Sequence, residues 1–363
     1  MRRFTFIALM CIYLPLLAQL IGVKSEYAVP GSQYPRILPD NRVEFKVRAP
    51  KASTVQVDLG KTYDMVKDDS GNWACTTEPI SQGFQYYFLI IDGTRVADPS
   101  SMTFYGCSTE ASGIEIPYPD GDTRFYQRDV PRGEIAIRRF YSKTDSAWNR
   151  IFVYTPPTYG KSNEKFPVLY IQHGGGEDES GWALQGKSDI ILDNLISEGK
   201  AVPMVVVMSD GNTRDFTGKL LNEVIPLVES TYRVKTGAEN RALAGLSMGG
   251  IHTLNTVVEH PENFGYVGVF SSGWFSGNNS FMRNDTDRYY SLLSKRPDFY
   301  NKQFRRFWLS MGGKEDIAYN NCQTMMKRFD EIGIKYDYFE TPGGHTWPVW
   351  RESLYNFAQQ LFK

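Results

Sequence analysis

The residues best suited to chemistry are Gly245-Leu246-Ser247-Met248-Gly249. An apolar strand from Arg241 leads into them and a helical segment, Ile251 to Glu259, follows until Pro261 stops it. That strand-turn-helix context is the one a nucleophile elbow requires. A serine on so tight a turn leaves no room for flanking Cβ atoms, which accounts for the glycines and points Oγ out of the sheet edge. The hydroxyl is a weak nucleophile and needs a base within reach, with an acid to hold that base in one tautomer.

Only four histidines exist. His252 sits five residues past Ser247 on the elbow's own helix, where pointing back is awkward, and His260 lies at its far end. His173 precedes the elbow and reads as a structural residue of its loop. His345 remains, in Thr341-Pro342-Gly343-Gly344-His345-Thr346-Trp347, directly after the last expected strand. The acid should come between serine and histidine in chain order. Asp316, in Gly312-Gly313-Lys314-Glu315-Asp316, follows an apolar strand and is the choice, with Glu315 as the alternative. A helix N-cap is the competing role for Asp316. His173-Gly174-Gly175-Gly176 ends another buried strand; the N–H of Gly174 or Gly175, with that of Met248, would form the oxyanion hole. A phosphate loop is the weaker reading, since no Gly-Lys-Ser/Thr follows.

These residues demand a scaffold that carries strand ends to one edge. From about residue 126, candidate strands at 150–154, 167–172, 203–208, 241–245, 266–271, 307–311 and 335–340 alternate with amphipathic segments, such as 189–198 and the last helix with Leu354, Phe357 and Leu361. Several strands are continuous apolar runs, as a parallel sheet buried on both faces requires. The expected class is therefore α/β: a mostly parallel sheet covered on both faces by helices, with the site at its carboxyl edge. Residues 27–118 read as short alternating strands (43–47, 55–59, 85–91), a small all-β, immunoglobulin-like sandwich. Residues 119–125 are turn-rich and read as a linker, and 126–363 form the α/β domain.

Forty basic against forty-one acidic residues give a net charge of -1, which supplies no general pull toward nucleic acid or anionic lipid. Arg2 and Arg3 before the apolar run Phe4 to Val23, then polar residues, have the order of a secretory signal peptide over 1–25, cleaved after Ser25 or after Ala18. No membrane association is expected after cleavage, and the product would be secreted or periplasmic. Cys11 leaves with the signal. Cys75 and Cys107 are within one domain and could pair, but two buried thiols is the favoured reading. No zinc-ligand spacing occurs.

His173-Gly-Gly-Gly-Glu-Asp178, Gly245-Leu-Ser-Met-Gly-Gly250, Gly312-Gly-Lys-Glu-Asp316 and Gly343-Gly-His-Thr-Trp-Pro-Val-Trp-Arg351 resemble the motifs of esterase D-like α/β-hydrolases, specifically carbohydrate esterase family 1, with its feruloyl and acetylxylan esterases. The first domain, with Asp92-Gly-Thr-Arg-Val-Ala-Asp-Pro99, is similar to family 48 carbohydrate-binding modules and related early-set domains. The resemblance implies exported hydrolysis of feruloyl or acetyl esters on xylan, the partner being an acylated polysaccharide, with no cofactor or metal. Sugar binding by the first domain stays open, because such modules also pack on catalytic domains without binding glycan. Enterobactin-type siderophore esterases share the architecture and are the rival reading. An inactive glycan-binding protein and a sugar acyltransferase are two others. Trp182, Trp274 and Trp347, with Phe275, Phe281, Tyr289 and Tyr290, are candidates to wall an acyl pocket, against ordinary core packing. Arg283, Arg288, Lys295 and Arg296 are too scattered to decide whether a catecholate site is present.

Overall fold

A computed structural model describes residues 22–275 and 286–363. Most of the expected signal segment, with Cys11 and Ala18, and also Phe281 and Arg283, lie outside the described residues.

Eight strands form the large sheet: β1 (Glu134–Ser142), β2 (Ala147–Thr155), β3 (Val168–Gln172), β4 (Val205–Ser209), β5 (Arg241–Leu246), β6 (Tyr266–Phe270), β7 (Arg306–Met311) and β8 (Asp337–Glu340). Their order is β1-β2-β4-β3-β5-β6-β7-β8, with β3 to β8 mutually parallel and β2 antiparallel both to β4 and to its hairpin partner β1. This is an α/β-hydrolase sheet. Period-two alternation sends Val168 and Tyr170 of β3 into one apolar layer and Leu169 and Ile171 into the other. That is why the strand reads as an unbroken apolar run. Helices α1 (Ser188–Ser197), α2 (Met248–Glu259), α3 (Tyr319–Ile332) and α4 (Trp347–Ala358) are among those that cover it. The sequence signal missed β1, whose exposed edge position leaves it a polar, half-solvated pattern.

The first region contains a five-stranded and a six-stranded antiparallel sheet, whose shared core includes Phe45, Val57, Trp73, Tyr87, Leu89 and Ile114. Two expected boundaries move. Val23–Lys24 pairs with Arg36–Ile37, Ser25 is buried, and Glu26 bonds Lys187 at 2.7 Å. Cleavage after Ser25 would therefore remove a folded strand. Nor is 119–125 a free linker: Phe125 is buried, and Arg124 pairs with both Asp122 and Glu352.

The two regions share a core. Phe84 and Phe104 of the six-stranded sheet belong to the same apolar cluster as Trp182, Trp347 and Val349. On the strand Gly83–Ile91, Phe84 and Tyr86 face the hydrolase sheet while Tyr87 and Leu89 face the sandwich interior. Beside this contact a bidentate ion pair joins Arg351 of α4 to Glu115, at 2.6 and 3.0 Å, and both residues are buried. No disulfide forms among the described residues. Cys322 is buried, Cys75 half-buried, and Cys107 exposed on a hairpin turn, which corrects the expectation that Cys75 and Cys107 are both buried.

Candidate active site

Gln172, the last residue of β3, is paired with Gly245 near the end of β5. The loop that starts at His173 and the turn carrying Ser247 are thus neighbours by sheet register. Strand order reverses between these two strands, the place where open α/β sheets bind ligands. Ser247 has φ 50° and ψ -116°, a sparsely populated conformation for a residue with a Cβ. Its surroundings enforce it. A Cβ on Gly245 would lie 2.3 Å from the backbone of Gly249, and one on Gly249 would lie 2.5 Å from the carbonyl of His173. The Ser247 N–H continues the sheet to Phe270 O at 2.9 Å, and Ser272 Oγ donates to Ser247 O at 2.6 Å.

Asp316 follows β7 and His345 follows β8; their side chains meet, with His345 Nδ1 2.8 Å from Asp316 Oδ1. The same oxygen accepts the Ala318 N–H at 2.9 Å. Burial raises the Asp316 carboxyl, but the hydrogen bonds from His345 and the Ala318 N–H hold the group below its ordinary value. Glu315, the alternative, turns away and accepts the Gly343 N–H at 3.2 Å. The His345 ring packs edge-on against Trp350 at 5.2 Å. No hydrogen bond links Ser247 Oγ to His345 Nε2 among the described residues. Ile317 and Ala318, directly after Asp316, line the same cavity of about 510 Å³ as Ser247.

Gly175 and Met248 line that cavity too, and the Met248 N–H lies in the first turn of α2, where no intrahelical acceptor exists. Gly174 does not serve as donor. Its N–H is directed to Glu177 Oε2 at 3.3 Å, so of the two candidate glycines Gly175 alone faces the cavity. Glu177 is fully enclosed and burial pushes its carboxyl up. Its other oxygen accepts from Tyr86 of the sandwich at 3.1 Å, and the Tyr86 hydroxyl accepts from Gln185 at 2.8 Å and from Trp347 Nε1 at 3.1 Å. The hairpin turn Cys107-Ser108 also touches this loop, with Ser108 N–H donating to Gly176 O at 2.9 Å. One tyrosine of the first domain therefore bridges the glycine loop and the start of α4, two residues beyond His345. Neither Tyr86 nor Glu177 stood out in the sequence, since tyrosine in a strand reads as core and their separation hides the contact.

The three tryptophans are corrected. Trp182, Trp274 and Trp347 are each at most 2% exposed and none lines the cavity. Their indole N–H groups are satisfied inside the protein, by Gln172 O, Asn255 Oδ1 and Tyr86 respectively. Tyr289 is buried against Trp274, the rings stacked at 5.2 Å, and Tyr290 packs on the same core. Phe275 does line the cavity, with Ile251 and Ile317. So does His252, which stacks on Phe216 and which burial pushes down to about 4. It lacks a carboxylate partner and stays neutral near pH 7. His173 is structural, as expected. Its Nδ1 donates to Gly174 O at 2.8 Å, and its Nε2 is 2.9 Å from Gly211 N and 3.3 Å from Asp210 Oδ1. The neutral ring accepts from Gly211; the imidazolium would instead donate to Asp210.

No group of His, Cys, Asp and Glu among the described residues could hold a metal ion, and no helix among them is long and apolar enough to cross a membrane.

Known proteins resemble this chain. Residues 147–361 match the Esterase family model, described as "Putative esterase". An endo-1,4-beta-xylanase/feruloyl esterase from Xylanibacter ruminicola is 36% identical over 357 residues, covering 92% of this chain and 46% of its own length. Endo-1,4-beta-xylanase Y from Acetivibrio thermocellus is 25% identical, covering 75% of this chain and 27% of that protein. The chain thus spans less than half the length of these two relatives. Among solved structures, a ferulic acid esterase from Anaeromyces mucronatus superimposes with TM-score 0.58 at 24% identity, over 68% of this chain and 96% of its own. The enterobactin esterase of Shigella flexneri does so with TM-score 0.65 at 18% identity, over 88% and 93%; these likenesses describe the fold. With a matching family model that spans most of the hydrolase sheet and both loops that carry Asp316 and His345, the chain belongs to the esterase family.

Proposed function

We propose that the protein is an exported serine carboxylesterase that removes feruloyl or acetyl groups from acylated xylan. The observation that carries this reading is the Asp316–His345 hydrogen bond at the sheet edge where Ser247 stands on its strained turn. Ser247 Oγ attacks the ester carbonyl and its proton passes to His345 Nε2. The oxyanion is held by the N–H groups of Gly175 and Met248. His345 then protonates the departing sugar alcohol, and water repeats the sequence to release the acid. Asp316 stays ionised throughout, stabilises the imidazolium and fixes its tautomer.

The substrate class is supported by the relative from Xylanibacter ruminicola, whose likeness to this chain extends through both domains. A cavity of about 510 Å³ with Phe275, Ile251 and Ile317 on its walls suits a flat aromatic acyl group. A ferric catecholate is strongly anionic, and Arg214 is the one Lys or Arg among the described residues that line the cavity, which disfavours the siderophore reading. Residues 22–118 are read as an early-set, immunoglobulin-like module whose contact with the catalytic loops accounts for its presence without a sugar-binding role of its own. Export rests on the amino-terminal pattern, with cleavage after Ala18 the better fit to the folded strand Val23–Lys24.

The test is Ser247→Ala and His345→Ala on methyl ferulate and p-nitrophenyl acetate. Loss of such a group costs on the order of 10⁶ in turnover; a drop of tenfold or less refutes the assignment.

A further inference from the structure

The β1–β2 hairpin overhangs the sheet. Its two strands pair along their full length, Glu134 with Thr155 through Ser142 with Ala147, yet β2 meets β4 only from Ile151, opposite Ser209. The outer part of the hairpin therefore projects past the end of β4, at the edge where β5 delivers Ser247. Tyr141 and Trp148 are direct cross-strand partners there, their rings edge-to-face at 5.9 Å. Trp148 is 75% and Tyr141 53% exposed. An isolated exposed apolar side chain is ordinary, but a paired indole and phenol on an uncovered edge hairpin is a liability that proteins usually blunt.

This arm is held rigidly. Lys219, itself 2% exposed, binds Asp145 in the hairpin turn at 2.7 Å, Asn149 Oδ1 at 2.6 Å and Asp210 O at 3.3 Å. Thr213 donates to Asp145 at 2.5 Å. Residues 211–214 line the Ser247 cavity, so the arm is tied to the wall of the site. Between them lies a second cavity of about 640 Å³, lined by Trp148, Asn149, Arg139, Arg150, Glu179 and Asp210. Two cations balance two anions, with Arg150 already paired to Glu179. Such a lining offers planar hydrogen-bonding groups and no net charge, the chemistry of a neutral polyol rather than an anion.

We propose that Trp148 is a stacking platform for a pyranose of a neutral polysaccharide backbone, which the arm holds while the ester on that chain reaches Ser247. This rests on the esterase reading and names where its substrate's sugar chain lies. The axial C–H groups of a pyranose present a weakly positive face to the indole's negative one, and a fixed side chain loses little entropy on contact.

The experiment compares Trp148→Ala and Trp148→Phe with the unaltered protein. Release of ferulate from soluble feruloylated arabinoxylan is expected to fall about tenfold in kcat/KM for Trp148→Ala, mostly through KM, and to recover in part with phenylalanine. Turnover of methyl ferulate should stay within about twofold, since that ester has no backbone to stack. Affinity electrophoresis supplies a readout independent of ester chemistry: Ser247→Ala should be retarded by arabinoxylan, and the added Trp148→Ala should abolish the retardation. Unchanged polymer kinetics, a parallel fall on methyl ferulate, or retardation that is absent or insensitive to Trp148 overturns the proposal. If the unaltered protein cleaves no ferulate or acetate ester while its retardation still depends on Trp148, the esterase reading fails and the platform stands.

Discussion

The hydrolase sheet and the sandwich reach the same edge by different means. The sheet presents Ser247, Asp316 and His345 directly after β5, β7 and β8, whereas the sandwich contributes one half-buried tyrosine, Tyr86, and one hairpin turn, Cys107-Ser108. The sheet's groups are suited to the bond-making. The sandwich's groups touch the loops: the Gly174 to Glu177 segment on one side and the start of α4 on the other. Strand ends are positioned by a hydrogen-bonded ladder, but the two loops after β3 and β8 lack one, and the adjoining domain supplies the missing restraint. A module attached to an enzyme need not bind substrate to matter for turnover.

Separating the two regions is the harshest challenge to that comparison. Residues 126–363 expressed alone would expose the surface that packs on Phe84 and Phe104 and leave Arg351 without Glu115. The fragment is expected to be insoluble or to lack a cooperative unfolding transition; a soluble fragment with full turnover of p-nitrophenyl acetate would show the sandwich to be dispensable. Arg351→Met should cost about 3 kcal/mol, because it removes two guanidinium bonds from a buried carboxylate that keeps, among the described residues, only Lys187 at 3.5 Å and the Tyr27 hydroxyl at 3.3 Å. Urea denaturation measures this, and adding Glu115→Leu is expected to recover much of the loss.

Asp210→Asn is the control inside the hydrolase region, away from the sandwich. Burial raises the Asp210 carboxyl, but in acid the His173 imidazolium, donating to it, and the Asn212 N–H hold it down to about 2. Its folded value lies below its unfolded value of 3.8, so its stabilisation is complete above that pH and lost as pH falls toward 2. The difference is on the order of 2 kcal/mol. Stability curves of the two proteins should therefore be apart at pH 5 and converge between about pH 4 and 2; parallel curves would contradict the assignment. Tyr86→Phe is the mildest change and the sharpest. It keeps the ring and removes the hydroxyl shared by Glu177, Gln185 and Trp347, a loss of about 1–2 kcal/mol. Turnover of methyl ferulate should fall several-fold with KM and the Asp316–His345 pair unaffected. A rise in KM alone would assign Tyr86 to substrate contact instead.

Much of the site was legible before the fold. The elbow was marked by glycines at fixed spacing, and His345 by the poor placement of three other histidines. Asp316 was favoured by its distance after an apolar strand, although only the geometry separates it from Glu315, one residue away. The tryptophans misled because large aromatic side chains serve a core and a pocket equally well, and composition cannot say which side of a strand or helix they face. Gly174 and Gly175 were equivalent in the sequence; Glu177, folded back on its own loop, removes the first.

By itself the chain order determined which groups were candidates to react and the parallel sheet that carries them, because apolar periodicity and glycine spacing are local properties of a polypeptide. Tertiary structure alone decided how those groups are braced. Tyr86 lies 91 residues from Glu177 and Glu115 lies 236 from Arg351. Contacts across such separations depend on how two apolar faces pack, and no local pattern encodes that choice.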